Sequence, residues 1–104
     1  TLEKALKTAC SAPVEMVEYI YKSILLCEEL VDITSKIIIS DIGVGVQCLK
    51  AALYSAQLNV IININSIKDE EYTKTVRKQT EELIQAGSIK ADEVYKKVIE
   101  KMSK

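Results

Sequence analysis

Residues 42–64 read IGVGVQCLKAALYSAQLNVIINI and carry a single charge, Lys50. Apolar residues occupy most of the circumference that a helix would give this stretch, which predicts a buried central helix. Gly43, Gly45, Ala51, Ala52, Ser55 and Ala56 are small and would let other helices approach closely. A membrane span is the competing reading, since the length is adequate. Gln47, Lys50, Gln57, Asn59, Asn63 and Asn65 are costly groups for a lone helix in lipid, and no basic cluster or Trp flanks the segment. The bundle reading is therefore preferred.

Outward from this segment, Ser40-Asp41 reads as its start. Ser is a favoured N-cap, and Asp one residue on complements the positive end of the helix dipole. Residues 32–39 read as a break, because Thr34, Ser35 and the β-branched run Ile37-Ile38-Ile39 are poor helix formers. A short extended connection is expected there. Upstream, Val17, Ile20, Ile24, Cys27 and Val31 recur at helical steps, and a helix is expected from residue 2 to about residue 33. Pro13 lacks an N–H and predicts a kink or restart. Leu2-Glu3-Lys4-Ala5-Leu6-Lys7 reads as helix interior without a cap in front of it, as expected of a piece of something longer. Downstream, Ser66-Ile67-Lys68-Asp69 reads as a turn and a cap, followed by the acidic first turn Asp69-Glu70-Glu71. Tyr72, Val76, Leu83, Ile84, Val94, Val98 and Met102 continue at helical steps, with Gly87-Ser88 as a break or a weak point.

Composition narrows the function classes. The chain has 104 residues, one domain's worth, with 48% hydrophobic and 28% charged residues, enough to bury a core. Fourteen basic against fifteen acidic residues, with no basic block, argue against nucleic acid as partner. Three Gly and one Pro are too few for a turn-rich β fold. With no His, the usual general base and the commonest metal ligand are both missing. Cys10, Cys27 and Cys48 are scattered and odd in number. No metal site is expected from them, and they suit a reducing compartment, here the cytoplasm. No basic patch followed by an apolar run opens the chain as in a signal peptide.

The unusual feature is polarity within the apolar segment. Asn59 and Asn63 are four apart and share a helical face with Ser55. A buried, unpaired amide costs about 1–3 kcal/mol, so partners are expected. Spacing alone favours a structural role, in a network between helices or at an oligomer interface. The alternative is recognition of a flat heterocycle by amide donors and acceptors. Asp41 is a second candidate, either as a capping residue or as a ligand acceptor.

Ser40-Asp41-Ile42-Gly43-Val44, then Ala51-Ala52, Asn59-Val60 and Asn63-Ile64-Asn65-Ser66-Ile67-Lys68-Asp69-Glu70-Glu71-Tyr72, resembles the formiminotetrahydrofolate cyclodeaminase family. That family includes proteins named methenyltetrahydrofolate cyclohydrolase. Ala12-Pro13-Val14-Glu15 resembles its pattern upstream. The resemblance implies an all-helical fold, a homodimer and a reduced folate as substrate, with no metal and no membrane. The implied reaction converts 5-formiminotetrahydrofolate to 5,10-methenyltetrahydrofolate and ammonia, or hydrolyses the methenyl form. Carried over by motif, Ser40, Asp41, Asn59 and Asn63 line or support the folate site. The family's Gly-rich opening loop and the helix with its acidic proton-transfer residue have no counterpart here, so no catalytic acid or base is assigned. Where the family commonly shows Gly-Asn-x-Asn before the Ser-Asp pair, this chain reads Thr34-Ser35-Lys36-Ile37. The expectation is an all-α bundle of three to four helices over residues 1–104, a single helical domain corresponding to the C-terminal half of a cyclodeaminase domain. The rival is a helical oligomerisation module or decayed relative without activity.

Overall fold

The computed structural model describes residues 1–103. They form three helices, α1 (Leu2–Ile33), α2 (Ile39–Ile64) and α3 (Glu70–Met102), with no strand among the described residues. A column of residues seven apart runs down the inside of each. Cys10, Val17, Ile24 and Val31 of α1 are fully buried, as are Ile39, Val46, Leu53 and Val60 of α2, and Ile84, Ala91 and Val98 of α3. A seven-residue repeat keeps its stripe facing a neighbour only when helices run nearly alongside one another. The result is a rod of 57 × 17 × 17 Å. Its radius of gyration is 16.4 Å, against about 13 Å for a rounded domain of this length.

Contacts at the ends set the directions. Glu3 meets Lys68 and Asp69, and Lys101 meets Val31 and Thr34, so α1 and α3 run parallel. Lys50 pairs with Asp92 at 2.6 Å and Gly43 lies against Val98, so α2 runs the opposite way. The one charge of the apolar segment is thus turned to the flank of α3. The Lys101 ammonium, seated on carbonyls where α1 ends, opposes the negative end of that helix.

Several local expectations are corrected. Thr1 caps α1, its hydroxyl oxygen accepting from the Lys4 N–H at 3.2 Å. Helix α1 runs through Pro13 without restarting. The lost bond would have gone to the carbonyl of Ala9, an exposed residue where water is at hand. The connection at residues 34–38 is a turn rather than an extended segment, with the Ile38 N–H donating to the Ser35 carbonyl at 3.2 Å. Ser40 is not the cap of α2. The helix starts at Ile39, which buries its side chain in the core, and Ile38 occupies the cap without a side-chain bond. Helix α3 continues through Gly87-Ser88, because Gly87 is where Leu53 and Tyr21 press closest.

The larger correction concerns α2. Each of three helices of similar length buries one stripe, and none is enclosed by the others. Val44, Leu58 and Ile62 are 65%, 64% and 66% exposed, although the segment is apolar nearly all round. Helix α1 also leaves Met16, Tyr19, Leu26 and Ile33 exposed.

Two glycines of α2 separate packing from propensity. A Cβ on Gly43 would lie 2.9 Å from Cγ1 of the stiff, β-branched Val98, whereas one on Gly45 meets nothing within 4 Å. Gly45→Ala is expected to raise stability by about 0.5–1 kcal/mol. Gly43→Ala is expected to lower it by about 1 kcal/mol, since overpacking outweighs the same propensity gain. Urea unfolding of the two variants should show midpoint shifts of opposite sign.

Candidate functional site

The first turn of α2 and the last turns of α3 border an apolar groove of about 440 Å³. Ser40, Gly43 and Gln47 line it from α2, and Tyr95, Val98 and Met102 from α3. Gly43 lets Val98 approach and sets the depth of this cleft. Ser40, Gln47, Cys48 and Tyr95 bring polar atoms to a mostly apolar wall, a combination suited to one flat, hydrogen-bonding ring. Asp41 is exposed in the same first turn, where a negative charge complements the helix dipole.

Asn59 and Asn63 lie elsewhere. Eighteen residues separate Asp41 from Asn59, which on a helix is five turns and about 27 Å. In one chain, the four residues singled out by the sequence therefore fall into two groups, Ser40 with Asp41 and Asn59 with Asn63. The expected network between helices is absent from their surroundings. Asn59 is exposed, the half-buried Asn63 amide donates to the Asn59 main-chain carbonyl at 2.7 Å, and the Ser55 hydroxyl donates to the Ala51 carbonyl at 2.9 Å. Each bond stays within α2. Ser55 and Asn59 sit on the exposed side of α2, while Asn63 follows Leu49 and Ala56 at seven-residue steps along the margin of the packed stripe.

A third cluster, at the opposite end of the rod from the groove, went unread in the sequence. The Glu3 carboxylate accepts the N–H groups of Lys68 and Asp69 at 3.1 and 2.8 Å. These main-chain bonds, Lys68 first, hold Glu3 below the usual carboxylate range. Lys7 pairs with Asp69 at 2.8 Å and lies 5.0 Å from the centre of the Tyr72 ring. The Lys7 contact, then the Tyr72 N–H, lowers Asp69, and Asp69 in turn raises Lys7. Burial pushes up the Tyr72 hydroxyl and the Cys10 and Cys27 thiols, which leaves those thiols weak nucleophiles. The signal for Asp69 was legible as a helix cap. That Glu3 would reach it across 66 positions of chain was not. This cluster fastens α1 to the start of α3. Among the described residues no group of three or more Cys, Asp or Glu side chains is placed to hold a metal ion. No helix among them is long and apolar enough to cross a membrane.

The described residues define an all-α three-helix bundle with an apolar groove at the start of α2. The family model described as formiminotransferase-cyclodeaminase matches residues 1–82, and the chain belongs to that family. It is similar to a methenyltetrahydrofolate cyclohydrolase of Methylorubrum extorquens, 29% identical over 102 residues. That alignment covers 98% of this chain and 49% of the relative, so the chain spans about half the length of the curated protein it matches. The matched segment contains α1, α2 and the start of α3, including Ser40, Asp41, Asn59, Asn63 and the Glu3–Asp69 cluster.

The cluster predicts a pH dependence. Glu3 has a folded pKa below its unfolded one, so its stabilisation is complete above the ordinary carboxylate range and is lost as pH falls through the folded value. The melting temperature is expected to fall between about pH 5 and pH 3. In Glu3→Gln, which keeps an acceptor oxygen without the charge, the same titration followed by circular dichroism should give a shallower fall.

Proposed function

We propose that this chain forms the folate-binding part of a one-carbon enzyme that acts on a reduced folate bearing its carbon unit at N5. The match of the family model across residues 1–82 carries this reading, and the groove beside Ser40 supports it by offering an apolar slot to a flat ring. The reaction class follows from the family. In 5-formiminotetrahydrofolate, N10 attacks the formimino carbon, and the N10 proton passes to the former imine nitrogen. The tetrahedral intermediate then takes up one further proton at that nitrogen, expels ammonia, and leaves the methenyl bridge between N5 and N10. Hydrolysis of the methenyl form, the activity in the printed name of the Methylorubrum extorquens relative, attacks the same carbon with water.

The residues present suit positioning. Holding N10 close to the bridging carbon supplies much of the acceleration for such a ring closure. Asp41 is an acceptor for ring or amine N–H groups, while Asn59 and Asn63 present both donors and acceptors to a heterocycle edge. The proton donor that completes the reaction is a carboxyl group by analogy with general acid catalysis, and none is assigned within this chain. A homodimer in the cytoplasm is part of this reading.

A second reading has its own support. The open apolar sides of α1 and α2 suit a helical assembly module without activity, in which the asparagines only adjust packing. Asn63→Asp separates the two. As a folate ligand, Asn63 loses its donors on substitution, and affinity for a reduced folate is expected to weaken at least about tenfold with oligomeric state unchanged and stability lowered only by about 1 kcal/mol for the lost bond to the Asn59 carbonyl. Calorimetric titration and sedimentation of the variant check this. Loss of assembly with no folate affinity in the parent chain would support the module instead.

A further inference from the structure

The groove at the start of α2 has charges of opposite sign near its two ends. Ser40 lines it where the rod finishes, with Asp41 exposed beside it. The walls that follow are mostly hydrocarbon, from Val44 on one side and Val98 and Met102 on the other. Toward the middle of the rod the lining ends at Gln47 and Tyr95. Lys50 and Asp92 come about one turn further along the same two flanks, three residues from Gln47 and Tyr95. They pair across the two helices at 2.6 Å and so close the inner end of the groove.

The partners of this ion pair are unequally placed. The Asp92 side chain is 62% exposed and that of Lys50 only 29%. A pair so open to water contributes little stability. Stability alone therefore gives little reason for Lys50, the one charge in residues 42–64. Ten residues of helix separate Ser40 from Lys50, about 15 Å. A reduced folate has a matching polarity over a similar length. Its pteridine is rich in N–H donors, a benzoyl ring follows, and a glutamate with two carboxylates ends it.

We infer that a reduced folate lies along this groove with its pteridine beside Asp41 and its glutamate at Lys50, displacing the Asp92 carboxylate from the ammonium. This deepens the folate reading above and rests on it. Lys50 is then a specificity residue, selecting the glutamate-bearing ligand over the bare ring. The exchange replaces one carboxylate by another, so the less exposed Lys50 keeps a partner, while Asp92 turns to the water it already faces. The opposite orientation would set the glutamate carboxylates against Asp41 and the pteridine donors against Lys50, like against like at both ends.

Two variants that break the same ion pair separate a ligand role from a structural one. Lys50→Met removes the cation and keeps an unbranched apolar stem. Asp92→Asn removes the competing carboxylate and frees the cation. The probes are 5-formyltetrahydrofolate and its dimethyl ester, which keeps the length and loses both charges, each titrated calorimetrically into the parent and the variants. The parent is expected to bind the acid about tenfold more tightly than the ester. Lys50→Met should weaken the acid about tenfold and leave the ester unchanged. Asp92→Asn should strengthen the acid several-fold, again with the ester unchanged. Asp41→Asn should weaken acid and ester alike. If the ion pair only holds α2 to α3, both of its variants will shift binding in the same direction and equally for the two ligands, which overturns the inference. Asp41→Asn that strengthens the acid alone would reveal the opposite orientation and overturn it as well. A parent that binds acid and ester equally overturns the role of Lys50 and leaves the folate reading standing. A parent that binds neither overturns the folate reading, and this inference with it.

Discussion

The seven-residue column of buried side chains is the constraint from which the rest follows. Cys10, Val17, Ile24 and Val31 stack along α1, and Ile39, Val46, Leu53 and Val60 answer along α2. This repeat matches near-parallel helices and no other crossing. It makes the molecule long and thin, 57 Å by 17 Å, and sets the level at which every other residue meets its neighbours. Gly43 beneath Val98 and Gly87 beneath Leu53 are the places where the columns leave no room for a Cβ.

Polar interactions gather on the rim and at the ends, where they lock the sliding freedom that apolar columns leave. Glu3 satisfies two N–H groups at the start of α3, and Lys101 covers carbonyls at the end of α1. Both join α1 to α3, helices that are not consecutive in the chain. Lys50–Asp92 and Lys90–Glu28 tie α3 to each of its neighbours along the rod. Exposed pairs of this kind contribute little stability singly. Their geometry nevertheless agrees with a single register, in which a slip of one turn would separate all of them.

A thin bundle has a functional consequence. Three helices bury three stripes, and the apolar surface of α2 exceeds what one stripe can use. The excess faces outward near Asn59, while Ser40, Asp41 and the 440 Å³ groove lie at the far end of the same helix. The chain spans about half of its curated relative. Membership in the cyclodeaminase family thus comes with a surface that one copy of this chain leaves open.

Much of this was legible in the residues. Helical periodicity placed all three helices, because a 3.6-residue period shows in any stripe that must be buried. Asp69 announced the start of α3 as a cap, and the run from Ser40 to Tyr72 pointed to the family. What the residues did not reveal was which sides meet. An all-round apolar segment reads as central, yet only the number and length of its neighbours decide how much of it is covered. Thr1 was misread because a cap needs only one side-chain oxygen, and α1 continues past Pro13 rather than restarting, with the exposed Ala9 supplying the carbonyl that loses its partner. The sequence by itself determined helix, stripe and family, which are local or inherited patterns. Only the tertiary structure decided that Glu3 reaches Asp69, that Lys101 reaches the end of α1, and that α2 leaves one side open, since each depends on register between segments far apart in the chain.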